Sequence, residues 1–115
     1  MHEYSLATNL IEILREEKKK RNIKKILKVE LEFGKLASAE PLIFKEIFDI
    51  IKKDTEFEET ELIIDLIEPE VKCLNCEKDF KADTFPFLCP YCENMGGELL
   101  RGDKITMKSL EIIKD

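Results

Sequence analysis

Two C-x-x-C pairs constrain this chain more than any other feature: Cys73-Leu74-Asn75-Cys76, an interval of twelve residues, then Cys89-Pro90-Tyr91-Cys92. Two such turns can aim four sulfurs at one point, which is how a zinc ribbon assembles a tetrahedral S4 site. Backbone N–H groups after the first cysteine of each turn can hydrogen-bond the thiolates and spread their charge. Four thiolates fill the coordination shell of zinc and leave no position for a water, so a zinc ion here is expected to be structural. Two disulfides or four free thiols are the readings without metal, and iron in a rubredoxin-like site would use the same ligands. The interval between the pairs is short for such an electron carrier. Phe80, Phe85, Phe87 and Leu99 offer a small apolar shell, too small to hold the segment together without metal. Zinc binding is therefore expected to supply the folding energy of residues 70–104.

The rest of the chain must build a fold that can carry this module. Leu6, Leu10, Ile13, Leu14 and Glu17 share a stripe at helical spacing and predict a helix over 5–20. Lys28–Gly34 alternates, with Val29, Leu31 and Phe33 on one face and Lys28, Glu30 and Glu32 on the other, which predicts a half-buried strand. Pro41 suits a first helical position, and Leu42, Phe44, Ile47, Phe48 and Ile51 predict a second helix through Lys53. Residues 61–67, stopped by Pro69, and 105–113 read as two further strands, with all four cysteines between them. The order predicts an α+β fold: two helices packed on a small three-stranded sheet, with an inserted zinc-ribbon-like module. Residues 1–69 plus 105–115 are expected to form one domain, and 70–104 the zinc-binding domain.

Charge and composition exclude several functions. With 43% hydrophobic and 38% charged residues over 115 positions, the chain has the make-up of a folded domain. No apolar run is long enough for a membrane span, and the first residues lack the pattern of a signal peptide, so no membrane partner and a cytoplasmic location are expected. The net charge is −6, yet residues 15–28 carry eight basic and two acidic side chains, leaving −12 elsewhere. That basic stretch reads as a solvated helix end and turn, or as a dock for an acidic partner. Residues 70–104 hold five basic and seven acidic side chains, whereas a phosphate-reading ribbon needs a basic face, so no nucleic-acid partner is expected. A zinc-ribbon nucleic-acid or protein-binding adaptor is the competing reading. An enzyme is not expected, because the chain has one histidine, no phosphate loop and no open metal site. The absence of Gln and Trp, with many Lys, Glu and Ile, is similar to the composition of proteins from hot environments.

That single histidine is His2. From position 2, the Met1 amine, the His2 backbone nitrogen and the His2 imidazole can close adjacent five- and six-membered chelate rings on one metal. Nickel(II) and copper(II) favour such planar nitrogen sets. Methionine before a bulky histidine should escape removal, which keeps the amine that of Met1. Glu3 reads either as part of this site or as a first-turn helix residue favoured by the dipole.

Met1-His2-Glu3-Tyr4-Ser5-Leu6, Leu31-Glu32-Phe33-Gly34-Lys35-Leu36, the paired C-x-x-C turns, and Gly102-Asp103 before a final strand containing Lys108-Ser109-Leu110-Glu111 stand together in one order. In these the chain resembles the HypA/HybF nickel metallochaperones of hydrogenase maturation, from residue 1 to about 113. The resemblance implies a non-enzymatic protein that binds Ni2+ as transient cargo through Met1, His2 and Glu3. It also implies delivery during [NiFe] hydrogenase assembly, sometimes to urease, with Zn2+ held structurally by Cys73, Cys76, Cys89 and Cys92. Glu40 matches an acidic position that some members place near nickel; by its own sequence context it is a helix-start carboxylate. The implied partners are a nickel-handling P-loop NTPase (a GTPase or ATPase) and the [NiFe] hydrogenase large subunit. The chain itself is expected to be a monomer or weak homodimer. It departs from many relatives in having no histidine beside the zinc cysteines, so no second imidazole can join nickel during transfer.

Overall fold

The structure is a computed structural model that describes residues 2–82 and 86–114. Helix α1 (His2–Lys20) buries Ala7, Leu10, Ile11 and Leu14, which recur at helical spacing. The buried stripe is therefore rotated from the one expected: Ala7 and Ile11 join it, and Ile13 is turned toward solvent at 37% exposure. Glu3 lies in the first turn and Lys18, Lys19 and Lys20 in the last, each sign matched to the helix dipole. Asn22, in the left-handed region at φ 53°, turns the chain out of the helix.

Strand β1 (Ile23–Gly34) begins five residues earlier than its alternation predicts, because Ile23 and Ile26 are buried between lysines that mask the pattern. The basic stretch 15–28 is thus a helix end, a turn, and the first half of a strand. Helix α2 (Pro41–Ile51) starts where Pro41 fixes the backbone, and the Glu40 carboxylate accepts the Ile43 N–H at 2.9 Å as N-cap. It ends two residues short of the expected Lys53, in a turn that includes Asp54 at φ 65°. Strands β2 (Glu61–Ile67) and β6 (Ile105–Lys114) flank β1 in the order β2-β1-β6. The two helices pack against one another and on this sheet, the α+β arrangement expected.

The chain divides into two compact units. The first comprises Met1–Leu31, Ser38–Asp65 and Thr106–Asp115; among its described residues, α1 together with Phe44, Phe48, Phe57, Val29 and Leu62 supplies buried core. Thr60 is buried there too, its hydroxyl donating to the Ile26 carbonyl at 2.7 Å, which spares it the penalty of an unpaired polar group. The open face of the sheet carries charge. Lys28 lies 3.9 Å from Glu61 and 3.7 Å from Glu111, and Lys108 lies 3.6 Å from Glu30 and 3.5 Å from Asp65. Such solvated pairs contribute roughly 0–1 kcal/mol each, so the apolar face dominates stability.

The second unit comprises Glu32–Ala37 and Leu66–Ile105. It contains a second three-stranded sheet in the order β4-β3-β5, built from β3 (Glu70–Lys72), β4 (Asp79–Lys81) and β5 (Glu98–Arg101). Val71 in the middle pairs with Phe80 on one side and Leu99 on the other, both antiparallel. Residues 34–37 belong with this unit because their amides bond to it: Gly34 N–H to Lys104 C=O at 2.9 Å, Lys35 N–H to Ile67 C=O at 2.9 Å, and Leu36 N–H to Gly102 C=O at 2.8 Å. The crossing is tight enough to require glycine. A side chain on Gly34 would collide with the Gly102 carbonyl, and one on Gly102, at φ 105°, would press into the Pro69 backbone.

Candidate metal centres

The four cysteines of the second unit converge. Their Sγ atoms all lie within 4.8 Å of one another, with Cys73 to Cys92 at 3.6 Å and Cys76 to Cys89 at 3.7 Å. A tetrahedral zinc site with bonds of about 2.3 Å has sulfur–sulfur edges of about 3.8 Å, so the cluster suits a metal such as zinc. The separations are well beyond a covalent S–S bond, and all four cysteines are free.

Each pair sits on its own hairpin-like knuckle, and the two are built alike. In the first, Cys73 N–H bonds to Lys78 C=O and Glu77 N–H to Cys73 C=O, both at 2.9 Å. In the second, Cys89 N–H bonds to Asn94 C=O at 3.0 Å and Glu93 N–H to Cys89 C=O at 2.9 Å. The residue after each second cysteine takes a left-handed backbone, φ 63° at Glu77 and 62° at Glu93, which turns the chain back after both sulfurs have been presented.

Donors around the sulfurs favour thiolate. The Asn75 side-chain amide donates to Cys92 Sγ at 3.5 Å, and the Tyr91 N–H donates to Cys89 Sγ at 3.4 Å. The Asn75 amide, followed by the Asn94 N–H, draws the Cys92 thiol down to about 6. At Cys76 the Lys78 N–H acts in the same direction, but burial and the neighbouring thiols outweigh it and push the group up to about 11. Four sulfurs brought this close cannot all ionise easily on their own, which is the electrostatic situation a divalent cation relieves. Lys78 also places its ammonium 4.8 Å from the centre of the Tyr91 ring, a contact between the two knuckles.

Behind the sulfurs, Val71, Phe80 and Phe87 are buried with Cys73 and Cys89, and Leu36, Ala82 and Leu99 pack against them. Phe80, Phe87 and Leu99 are where the sequence placed them, whereas Phe85 lies outside the described residues. Leu36 was not expected in this shell, because nothing local ties it to the cysteines. Asn75 was missed for a similar reason, since its bond spans 17 residues.

The N-terminal candidates belong to the first unit. Met1 lies outside the described residues. His2 opens α1 and its side chain is exposed. The first N–H groups of a helix have no intrahelical carbonyl to bond, so the backbone nitrogens of this turn are left for other partners. Glu3 is half-buried, and its Oε2 accepts the Glu40 backbone N–H at 2.9 Å. That bond, followed by Glu3's own backbone N–H, holds the Glu3 carboxyl below the usual carboxylate range. The structure therefore brings Glu3 and Glu40 together across 37 residues of sequence, with Glu40 also capping α2.

The family model described as "Hydrogenase/urease nickel incorporation, metallochaperone, hypA" matches residues 1–112. The hydrogenase maturation factor HypA of Aquifex aeolicus is 30% identical over 115 residues, all of both chains. That of Caldanaerobacter subterraneus subsp. tengcongensis is 34% identical over 113 residues, 97% of this chain and 99% of the relative. Among solved structures, the nickel metallochaperone HypA of Helicobacter pylori superposes with a TM-score of 0.71 over 98% of both chains at 23% identity, a likeness of fold.

Proposed function

We propose that this chain, which belongs to the HypA family of nickel-incorporation metallochaperones for hydrogenase, takes up Ni(II) at its N-terminus and surrenders it to a maturation partner. The Met1 amine, the His2 backbone nitrogen and the His2 imidazole are the donors, and Glu3 supplies an amide nitrogen or a carboxylate oxygen. Glu40 is the candidate for a further donor. The observation that carries this reading is the bond from the Glu40 N–H to Glu3, which places a second carboxylate residue beside the helix turn that begins with the chain's one histidine.

Cys73, Cys76, Cys89 and Cys92 would hold zinc, whose contribution is to fold and tie the knuckles together. The two sites then divide the work. A closed cage of four thiolates retains its ion, while donors at a chain terminus can be given up one at a time to an acceptor. The protein acts as a carrier in the cytoplasm and performs no bond-making step of its own. Its partners are a nickel-handling P-loop NTPase and the hydrogenase large subunit. The unit that carries α1 and α2 serves nickel, and the unit that carries the four cysteines serves zinc. Because no other histidine exists in the chain, handover does not recruit an imidazole from the zinc module.

The test is calorimetric nickel titration of untagged protein, with zinc content followed in parallel. His2→Ala, or one residue added before Met1, should abolish nickel binding and leave zinc in place. Undiminished nickel affinity in either variant refutes the assignment.

A further inference from the structure

The run from Lys18 to Val29 carries seven cations and no carboxylate, in a chain whose remainder stands at −13. A helix C-terminus accounts for only part of this. The macrodipole leaves about half a negative charge there, which one cation offsets. Acidic residues outside the run answer others: Glu17 holds Arg21 at 2.9 Å, Glu59 holds Lys25 at 2.8 Å, and Glu61 and Glu111 flank Lys28. Lys18 is half-buried, its ammonium 5.9 Å from the centre of the Phe57 ring. Lys19, Lys20 and Lys24 remain, all three exposed and without an ion pair among the described residues.

The backbone beneath them is fixed. The Arg21 N–H bonds to the Glu17 carbonyl at 3.1 Å and closes the last turn of α1, and Asn22 at φ 53° turns the chain directly into β1. Lys19 and Lys20 end the helix and Lys24 is the second residue of the strand, so one tight turn holds all three. Residues 18–24 span at most about 20 Å of chain, which keeps the patch compact. Lys18 and Lys19 also line a cavity of about 420 Å³ with Glu12, Arg15, Glu16 and Glu56, where acidic surface resumes.

We propose that the end of α1 and the start of β1 form a docking site for an acidic segment of a partner protein, a run of Asp and Glu side chains that pairs with Lys19, Lys20 and Lys24. Charge complementarity calls for a polyanion, and size selects which kind. A short acidic segment lies wholly over the patch, within the screening length of about 8 Å at physiological ionic strength. A nucleic-acid helix or an anionic membrane overruns it onto the surface around Glu12, Glu16 and Glu56 and is repelled there. The run has no aromatic residue on which bases could stack, and its unpaired cations are all lysines, without the fork by which arginine grips phosphate. Such a contact speeds encounter more than it adds affinity, so binding is weak and salt-sensitive. The proposal does not rest on the nickel reading, since none of these lysines belongs to that site.

The test uses the full chain, zinc-loaded and nickel-free, with a fluorescent peptide of about eight consecutive glutamates, long enough at about 3.3 Å per residue to cover the patch. Anisotropy at about 50 mM salt should show saturable binding that weakens roughly tenfold or more by about 300 mM. Lys19→Glu, Lys20→Glu and Lys24→Glu combined should weaken it roughly tenfold or more at low salt, whereas Lys53→Glu, Lys81→Glu and Lys104→Glu combined, at the same net charge, should change it less than about twofold. In NMR of the unaltered chain, the peptide should shift the amides of 18–24 most, a readout free of any folding defect. No saturable binding at low salt, equal losses in the two triple variants, or shifts centred outside 18–24 would each overturn the proposal. So would tighter binding of a DNA duplex of about twelve base pairs, or of phosphatidylserine vesicles, than of the peptide.

Discussion

The Glu3 carboxylate accepts the backbone N–H of Glu40 at 2.9 Å, which fastens the first turn of α1 to the residue that caps α2. Glu40 thus holds both helix starts, receiving Glu3 through its backbone and serving Ile43 through its side chain. Changing its side chain alone should separate these roles. Glu40→Ala removes the cap and should cost on the order of 0.5–1 kcal/mol in urea unfolding, while Glu40→Asp should retain most of it. Equal stability of the alanine and glutamate forms would contradict the capping role.

Nickel affinity should fall with pH. With the proposed donors, binding would have to displace protons from nitrogen, so hydrogen ion would compete with metal. Titrations at several pH values in a non-coordinating buffer should give steadily weaker binding on the acid side, and a flat profile would argue for carboxylate donors alone.

Metal removal should be local. With Cys73→Ala, or after chelation, the cluster of Val71, Phe80 and Phe87 loses the tie between its knuckles. Amide protection over 70–104 should then collapse, while α1 and α2 keep theirs. Protection unchanged throughout would mean that the apolar shell suffices without metal.

The pair of Lys25 and Glu59, 2.8 Å apart, offers a pH test remote from either metal site. The hydrogen bond from Lys25, helped by its charge, lowers the Glu59 carboxyl from its usual 4.5. A carboxyl depressed in the folded state adds stability above the usual range and gives it up as pH falls through the lowered value. In carboxyl-detected NMR, Glu59 should titrate below an ordinary glutamate, and Lys25→Met should bring it back up. A Glu59 titration unmoved by that change would exclude the pairing in solution.

Gly34→Ala should be poorly tolerated, since the added methyl meets the Gly102 carbonyl, a rigid backbone atom. A loss of about 1–3 kcal/mol is expected from overpacking, read by thermal or urea unfolding. A neutral result would mean that the Gly34–Gly102 crossing opens readily.

What the sequence disclosed and what it hid follow physical lines. The cysteine pairs were legible because metal ligation fixes residue type and spacing together. Helix α2 was legible because Pro41, Phe44 and Phe48 combine a start signal with a buried stripe. The first half of β1 was obscured by Lys24, Lys25 and Lys28, whose charges swamp the two buried isoleucines among them. Strands β3, β4 and β5, at three or four residues each, are too short to show a period. Their pairing is set by the knuckles around them. Leu36 and Asn75 escaped because their partners are brought in by tertiary hydrogen bonds, which no local pattern encodes.

The matched knuckles bear on how the metal is acquired. Each cysteine pair is closed by its own backbone bonds, Cys73 with Lys78 and Cys89 with Asn94, over six residues of chain. Each loop holds its two sulfurs toward the same side, so either would supply two of the four ligands as a unit. Only one larger closure then remains, the interval between Cys76 and Cys89, and its entropy rises slowly with length. Each knuckle would therefore offer a metal ion a preformed pair of sulfurs, and bringing the second pair to the first would cost only that closure.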